Sequence, residues 1–585
     1  MSTYDKASLV LIPSGTKEGV VFSQKPTNGD GDFTFTRASS ATRVNSDGLI
    51  EKETQNLFLQ SNQFDTTWSP IGASVTSGQS GYDGSSDAWL LNKSLAGGFI
   101  QQSISSSGVQ TYSIYAKAGS LNYMRLRVSG SLSALVYFDF TDGSIHNNDG
   151  FDATMVSVGG GWYRCSYSFV STITAVQIYP ADSINSVSGA SGSIYIQDAQ
   201  LNQGLVADSY LETTTTAVYG GITDNIPRLD YTDASCPSLL LEPQRTNLIT
   251  HSEYLDGLLG VVNGSVSYNT TTSPEGLNNA ALYTEDSSTN AHYIDSNSFT
   301  YTGGSNHIIS VFAKYNGRFL TLQGTSFIIG TSYATFNLQT GEVEEESIGT
   351  ASIEDYGNGW YRCSLKVTAS STSTGLATLL LNDIATGGRS RSYTGDGSSG
   401  LYYYGFQVEA SSYATSYIPT YGASVTRVQD LSVTASPSTS YFGQTEGTIF
   451  TEIKINAITS GSYSRVLNLK NSGGSNQIYF QQNDSRILGT VFNGSNQFTQ
   501  NTSSGFLSVG STYKIAMAYK DGDYALYING TQIGTSSASG LGTLDVDRVD
   551  LTTLSGNINL GNEIKQSLVF NTRLSNEELE ALTQV

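Results

Sequence analysis

Gly161-Trp162-Tyr163-Arg164-Cys165-Ser166 and Gly359-Trp360-Tyr361-Arg362-Cys363-Ser364 are the same six residues, about two hundred positions apart. They are not an isolated match. Leu49-Ile50-Glu51, then Asn56-Leu57 and Ser61, correspond to Leu240-Leu241-Glu242, then Asn247-Leu248 and Ser252. Ser113-Ile114-Tyr115-Ala116-Lys117 corresponds to Ser310-Val311-Phe312-Ala313-Lys314, and Ser209-Tyr210-Leu211 to Ser416-Tyr417-Ile418. A chain that repeats itself at this interval must fold one domain twice. The repeats span about 56–215 and 247–430, with a connector at 216–246 and flanking segments at 1–55 and 431–585.

The repeated blocks also give the period. Tyr163, Cys165, Tyr167 and Phe169 alternate with Trp162, Arg164, Ser166 and Ser168. Alternation of period two is a half-buried β-strand, and the Gly-rich step before it is a turn. The 585 residues include 61 Gly and only 14% charged residues, which disfavours long helices. Aromatics at 11% disfavour disorder. The expected fold class is all-β: tandem antiparallel sandwiches of jelly-roll or lectin-like type, roughly eight strands in each repeat. From about 440 the pattern changes. Tyr513–Tyr519, Tyr524–Ile528 and Thr531–Ile533 are separated by Asp521-Gly522 and Asn529-Gly530, which predicts a three-stranded meander. The one confident helix is C-terminal, with Ser575 as N-cap, Glu578 closing a capping box, and Leu574 and Leu579 forming a hydrophobic staple.

Tyr524–Gly534 and Arg573–Glu580 resemble the concanavalin A-like, laminin-G-like sandwich, which implies a domain over 431–585. Such domains often bind glycans or proteins, sometimes with calcium, but no calcium-ligand cluster is readable there. Asn56–Trp68 and the G-W-Y-R-C blocks resemble sandwich domains of tailed-phage fibre and head-spike proteins, which are similar to carbohydrate-binding modules. Phe33–Glu51 is similar to a segment of phage structural proteins. The resemblance implies a virion protein, a fibre, spike or capsid decoration, whose segment 1–55 docks on the particle and which assembles as a homotrimer. Cell-surface glycans are the implied ligands. A secreted lectin-like adhesin and, behind it, a polysaccharide-degrading enzyme stay open as alternatives.

The net charge of −21 and the lack of a Lys/Arg cluster argue against nucleic acid and against anionic membranes. Leu9–Ile12 is too short for a membrane span or a secretory signal, and the resemblance to phage structural proteins implies a virion location after synthesis in a host cytoplasm. Three Cys (Cys165, Cys236, Cys363) make no disulfide framework, and four His (His146, His251, His292, His307) show no metal-ligand spacing. No nucleophile elbow or P-loop occurs. Asn28–Asp32 starts like a calcium loop, but Phe33 and Ser39 stand where an EF-hand needs Gly and Glu. Asp83-Gly84, Asp396-Gly397 and Asp521-Gly522 read as turns. Glu342, Glu344, Glu345 and Glu346 read as a solvated hairpin tip rather than part of a catalytic acid pair. The chain is therefore expected to be no enzyme and to use no cofactor or metal. Trp162 and Trp360 could stack on sugar, but their repetition favours packing. Tyr402-Tyr403-Tyr404 must place one ring outward and is the first place to look for sugar stacking, with subunit packing as the plainer use. Thr42-Arg43-Val44 and Thr426-Arg427-Val428 read as boundary strands. No catalytic or sugar-binding residue is assigned. Replacing the N-cap in Ser575→Ala is expected to cost roughly 1 kcal/mol, measurable by denaturant unfolding.

Overall fold

The computed structural model describes residues 3–585 except 132, 233–234, 349, 435, 459–462 and 553–560. The fold is all-β. In the first repeat one six-stranded sheet runs, in spatial order, Asp152–Gly159, Trp162–Val170, Val109–Ala118, Gly192–Gln203, Ala88–Lys93 and Ala73–Gln79. Its partner sheet, also six-stranded, centres on Tyr123–Gly130 and Ile173–Ala181. The second repeat reproduces both orders, with Asn306–Asn316 and Gly400–Glu409 central in one sheet and Phe319–Gly324 and Ala377–Asn382 central in the other. Two six-stranded sheets exceed the roughly eight strands expected. The surplus lies in short edge strands such as Ser69–Ile71, whose burial does not alternate.

The strands named by the repeated motif carry the core. Cys165 and Cys363 are fully buried free thiols, each inside its own sandwich. The other face of the motif strand was expected to meet solvent, but Trp162, Ser166, Ser168, Trp360 and Ser364 are buried as well. The cover comes from loops and from the neighbouring repeat. Phe151 packs on Tyr254 and Tyr268, Asn269 donates to Asp152 and to the Leu205 carbonyl, and the Val109 amide donates to the Tyr421 carbonyl at 2.8 Å.

The N-terminal segment is woven into the C-terminal sandwich. Leu9–Leu11 pairs with Asn562–Phe570, the last strand of the chain. Phe33–Thr36 pairs with Leu431–Thr434. The connector strand Ser238–Leu241 also joins Asn562–Phe570. The C-terminal sandwich is thus built from three distant parts of the sequence, and Leu9, Phe33, Phe35, Leu239 and Leu241 share one core with Ile449, Ile515 and Leu526. These alternating apolar residues find no apolar face within their own short segments, so they complete a distant one. Each repeat is closed by a ribbon joining its two ends: Glu53–Asn56 with Val218–Gly221, and Arg245–Asn247 with Val425–Arg427.

The expected meander is present as Thr512–Lys520, Tyr524–Ile528 and Thr531–Ser536. Asn529 and Gly530 both take positive φ (48° and 74°), as a tight hairpin turn requires. The helix Asn576–Thr583 has its capping box, and Leu574 and Leu579 are buried against the sheet.

A buried ion network ties the parts together. Asp430 accepts from Arg37 at 3.1 Å and from Arg228, while Glu242 binds Arg228 at 2.6 Å and Arg427 at 2.8 Å. All five side chains are essentially solvent-free. They come from the N-terminal segment, the connector, and the exit of the second repeat. Burial opposes ionisation of Glu242, but Arg427 and Arg228 outweigh it and hold the carboxyl well below the usual range. Burial brings Arg37 down to about 10. Removing one member strands the others in a dry site. Asp430→Ala is therefore expected to cost about 3–5 kcal/mol, read from denaturant unfolding of the full chain.

Candidate functional site

Most residues that the sequence singles out are structural. Trp360 is buried and its indole N–H donates to the Thr272 carbonyl at 2.9 Å. Arg362 donates to the Thr415 carbonyl at 2.7 Å, and Arg164 to the Asp208 carbonyl. Each arginine thus pins the loop that follows the last long strand of its repeat. Asn56 donates to the Ala199 and Leu211 carbonyls and accepts from Phe58 and Leu201. Asn247 makes the same four bonds with Phe406, Ile418, Ile249 and Val408. The repeated Asn-Leu is a buried clamp.

The tyrosine triplet presents only Tyr402 in part to solvent. Tyr403 and Tyr404 are each 2% exposed on opposite faces of their strand, and Tyr402 is half-buried. Both faces of that strand are largely covered, so no ring of the triplet is as open as a bare sheet would leave it. Glu342–Glu346 is an edge strand rather than a hairpin tip. Glu345 accepts from Tyr333 at 2.7 Å, while Glu342, Glu344 and Glu346 face solvent, where their charge discourages edge-to-edge pairing. Asp396 accepts from the Ser398 and Ser399 amides, as turn aspartates do, and Asp521 from Gly540 and Leu541. Asp32 accepts from the Ser23 amide. Among the described residues, no group of three or more His, Cys, Asp or Glu side chains could hold a metal ion.

What the sequence did not reveal is a strap. Residues 49–52 cross the outer face of the second repeat. The Ile50 amide donates to the Pro274 carbonyl at 2.9 Å, and its side chain packs with Phe312, Trp360, Tyr404 and Tyr417. Lys52 enters beside it, 3.0 Å from Glu275 and 3.7 Å from Glu253. Tyr404 and Tyr417 donate to those same two carboxylates, each at 2.9 Å. The first repeat closes the equivalent face with its own loop. Tyr82 stacks on Tyr115 at 3.8 Å and donates to Asp198. Asp198 occupies the bulge position filled by Gly405 in the second repeat, and both have positive φ (55° and 62°).

Between the strap, the second repeat and the C-terminal sandwich lies a cleft of about 480 Å³. Phe312, Tyr356, Tyr413 and Tyr417 line one wall, with Arg362 among them. Arg43 and Val44 belong to the strap side, and Lys454, Asn456 and Glu563 to the sandwich side. The first Thr-Arg-Val motif therefore lines this cleft, while Arg427 of the second is sealed in the ion network. Several carboxylates here are engaged. Asp230 accepts from the Val44 amide at 2.9 Å and from Thr232, and Glu563 accepts from Ser238 at 2.8 Å and Asn456 at 3.0 Å. Burial pushes the Glu563 carboxyl up, opposed by Lys454. By contrast, the Tyr413 hydroxyl and Arg362 Nε are buried and have no hydrogen-bond partner among the described residues.

A second opening, a groove of about 590 Å³, lies at the junction of the two repeats. Glu53 and Gln55 come from the chain entering the first repeat, Ser171, Thr172 and Gln203 from that repeat, and His251 and Tyr421 from the other. Burial, reinforced by Asp224, pushes Glu53 up to about 7, and burial lowers His251.

No family model matches the chain, and no curated protein matches it. Among solved structures, the Ruminococcus gnavus IT-sialidase CBM40 bound to α2,3-sialyllactose aligns at 19% identity over 24% of this chain and 84% of that one, with a TM-score of 0.22. The botulinum neurotoxin serotype D binding domain aligns at 14% identity over 26% of this chain and 40% of its own, with a TM-score of 0.23. Similarity this slight adds nothing to what the sheets already show.

The strap's charge cluster gives a pH signature. Asp208 is buried near Lys52, Glu253 and Glu275, and burial raises it to about 7 even though Lys52 pulls it down. An unfolded aspartate titrates near about 3.9. The folded chain therefore holds a proton that the unfolded chain has lost, and the resulting stabilisation fades as pH rises from about 4 through about 7. Asp208→Asn is expected to melt with the parent at pH 4 and above it at pH 8, in paired thermal scans across that range.

Proposed function

We propose that this chain is a non-enzymatic structural and adhesive protein of a tailed-phage particle, and that the cleft between the second repeat and the C-terminal sandwich holds a glycan. The cleft is the observation that carries the reading. Its volume falls within the roughly 300–1,000 Å³ of small-ligand sites, which combine apolar walls with a few directed polar groups. The half-buried Tyr356 and Tyr413 rings suit the apolar faces of sugar rings. The unpartnered Tyr413 hydroxyl and Arg362 Nε suit sugar hydroxyls, and the cleft's cations, Arg43, Arg362 and Lys454, share its walls with Asp230, Glu242, Glu354, Asp355 and Glu563. Binding is favoured over hydrolysis because Asp230 and Glu242 are spent on structural bonds and Glu563 on side-chain partners, and the remaining two cleft carboxylates, Glu354 and Asp355, are neighbours on one strand rather than a pair facing each other across the cleft.

The virion role rests on the resemblance of Phe33–Glu51 and Asn56–Trp68 to phage structural proteins. A single cleft of this kind binds weakly, and repetition around a trimer would raise avidity by about 10²–10⁴. A glycan array with the full chain tests the reading. Tyr413→Ala and Tyr356→Ala are expected to weaken binding of the captured glycan about tenfold, with the melting temperature checked in parallel. Light scattering should give three times the monomer mass. A monomer that still binds glycan would favour a lectin-like adhesin instead, and release of reducing ends from a bound polysaccharide would overturn the non-enzymatic assignment.

A further inference from the structure

The two openings differ in chemistry. The cleft carries guanidinium and ammonium groups among five carboxylates on its walls, whereas among the described residues no Lys or Arg lines the groove between the repeats. The groove offers amides and hydroxyls instead: Gln55, Gln203, Ser171 and Thr172. Its shape is fixed from both sides. The Val109 amide binds the Tyr421 carbonyl, and Gly108 lies so close that a Cβ there would sit 1.8 Å from the same oxygen. The buried Gln110 holds the Ser171 carbonyl at 2.8 Å. The groove is thus a product of the docked duplication and exists in neither repeat alone.

We propose that this groove is a second carbohydrate site, one that takes an uncharged saccharide, with Gln55 and Gln203 as its principal hydrogen-bonding groups. This rests on the glycan-binding reading of the chain but concerns a different site. An anionic sugar would find no cation in the groove and would face Glu53 with Asp224 behind it. A neutral sugar finds donors and acceptors on both walls. Of the titratable groups here, Glu53 and His251 line the groove from opposite sides, and Asp224 acts on Glu53 from the turn after Val218–Gly221. Near neutrality Glu53 changes from a carboxylic acid, which donates, to a carboxylate, which only accepts. Binding of a neutral sugar should therefore vary with pH between 6 and 8.

The test is titration calorimetry on the full-length chain with neutral hexose and N-acetylhexosamine oligosaccharides, beside sialylated and uronate-bearing ones. Gln55→Leu and Gln203→Leu are expected to weaken neutral-sugar binding roughly five- to tenfold while leaving glycan binding at the cleft unchanged. Glu53→Gln should retain neutral-sugar binding and flatten its dependence on pH. Thermal melts of each variant separate lost binding from lost fold. If neutral sugars bind but respond to Tyr413→Ala and not to Gln55→Leu, the groove assignment is overturned. It is overturned alone if acidic glycans bind and neutral ones do not. If neither class binds at millimolar concentration, both assignments fall together.

Discussion

Three guanidiniums and two carboxylates, sealed from water, set the terms for the rest of this molecule. Arg37, Arg228 and Arg427 meet Glu242 and Asp430 where the N-terminal segment, the connector and the exit of the second repeat converge. Burying an ion is costly unless a partner of opposite charge is placed correctly. No one of these segments can hide its own charge alone, so all three must arrive together. Glu409 also lies close enough to act on Arg427, which brings the local charge nearer to balance. Other arrangements of the segments would leave a charge unpaired in the interior.

The duplication shows how one fold solves one problem in two ways. Each repeat has an aromatic patch on the outer face of one sheet, built on Tyr115 and Trp162 in the first and on Phe312 and Trp360 in the second. The first repeat covers it locally with Tyr82. The second imports Ile50 and Lys52 from upstream. Small substitutions mark the divergence: Gln197 faces Tyr115 where Tyr404 faces Phe312 in the ladder, and Asp198 stands at the bulge where the other copy has Gly405. The import leaves the second repeat joined to the C-terminal sandwich, and the cleft is the space left at that joint.

How much of this was legible depended on sequence distance. Alternation in Tyr163–Phe169, the Asn529-Gly530 hairpin and the Ser575 capping box are local signals, and each names its own structure. The alternation in Phe33-Thr34-Phe35-Thr36 likewise marks a strand, with Phe33 and Phe35 buried and both threonines exposed. Nothing local says that its neighbour is Leu431–Thr434. The tyrosine triplet misled for a related reason: period two shows that adjacent rings face opposite ways, but not that both ways are covered. The cleft was not legible because its walls come from residues near 43, 356 and 563, and a side chain's place in a wall leaves no mark on its neighbours in sequence.

The pairing of Leu9–Leu11 with Asn562–Phe570 also has a consequence for biosynthesis. A ribosome makes the chain from one end, and each repeat contains all the strands of its own two sheets, so both can close while synthesis continues. The C-terminal sandwich cannot. Leu9–Leu11 waits through the synthesis of more than five hundred residues for the strand that pairs with it, and Phe33–Thr36 waits for Leu431–Thr434. Until then Leu9, Leu11, Phe33 and Phe35 have no core to enter. The joint at Leu9–Leu11 closes only after Asn562–Phe570 has been made, and a chain cut short of it carries an open, apolar strand edge for quality control to find.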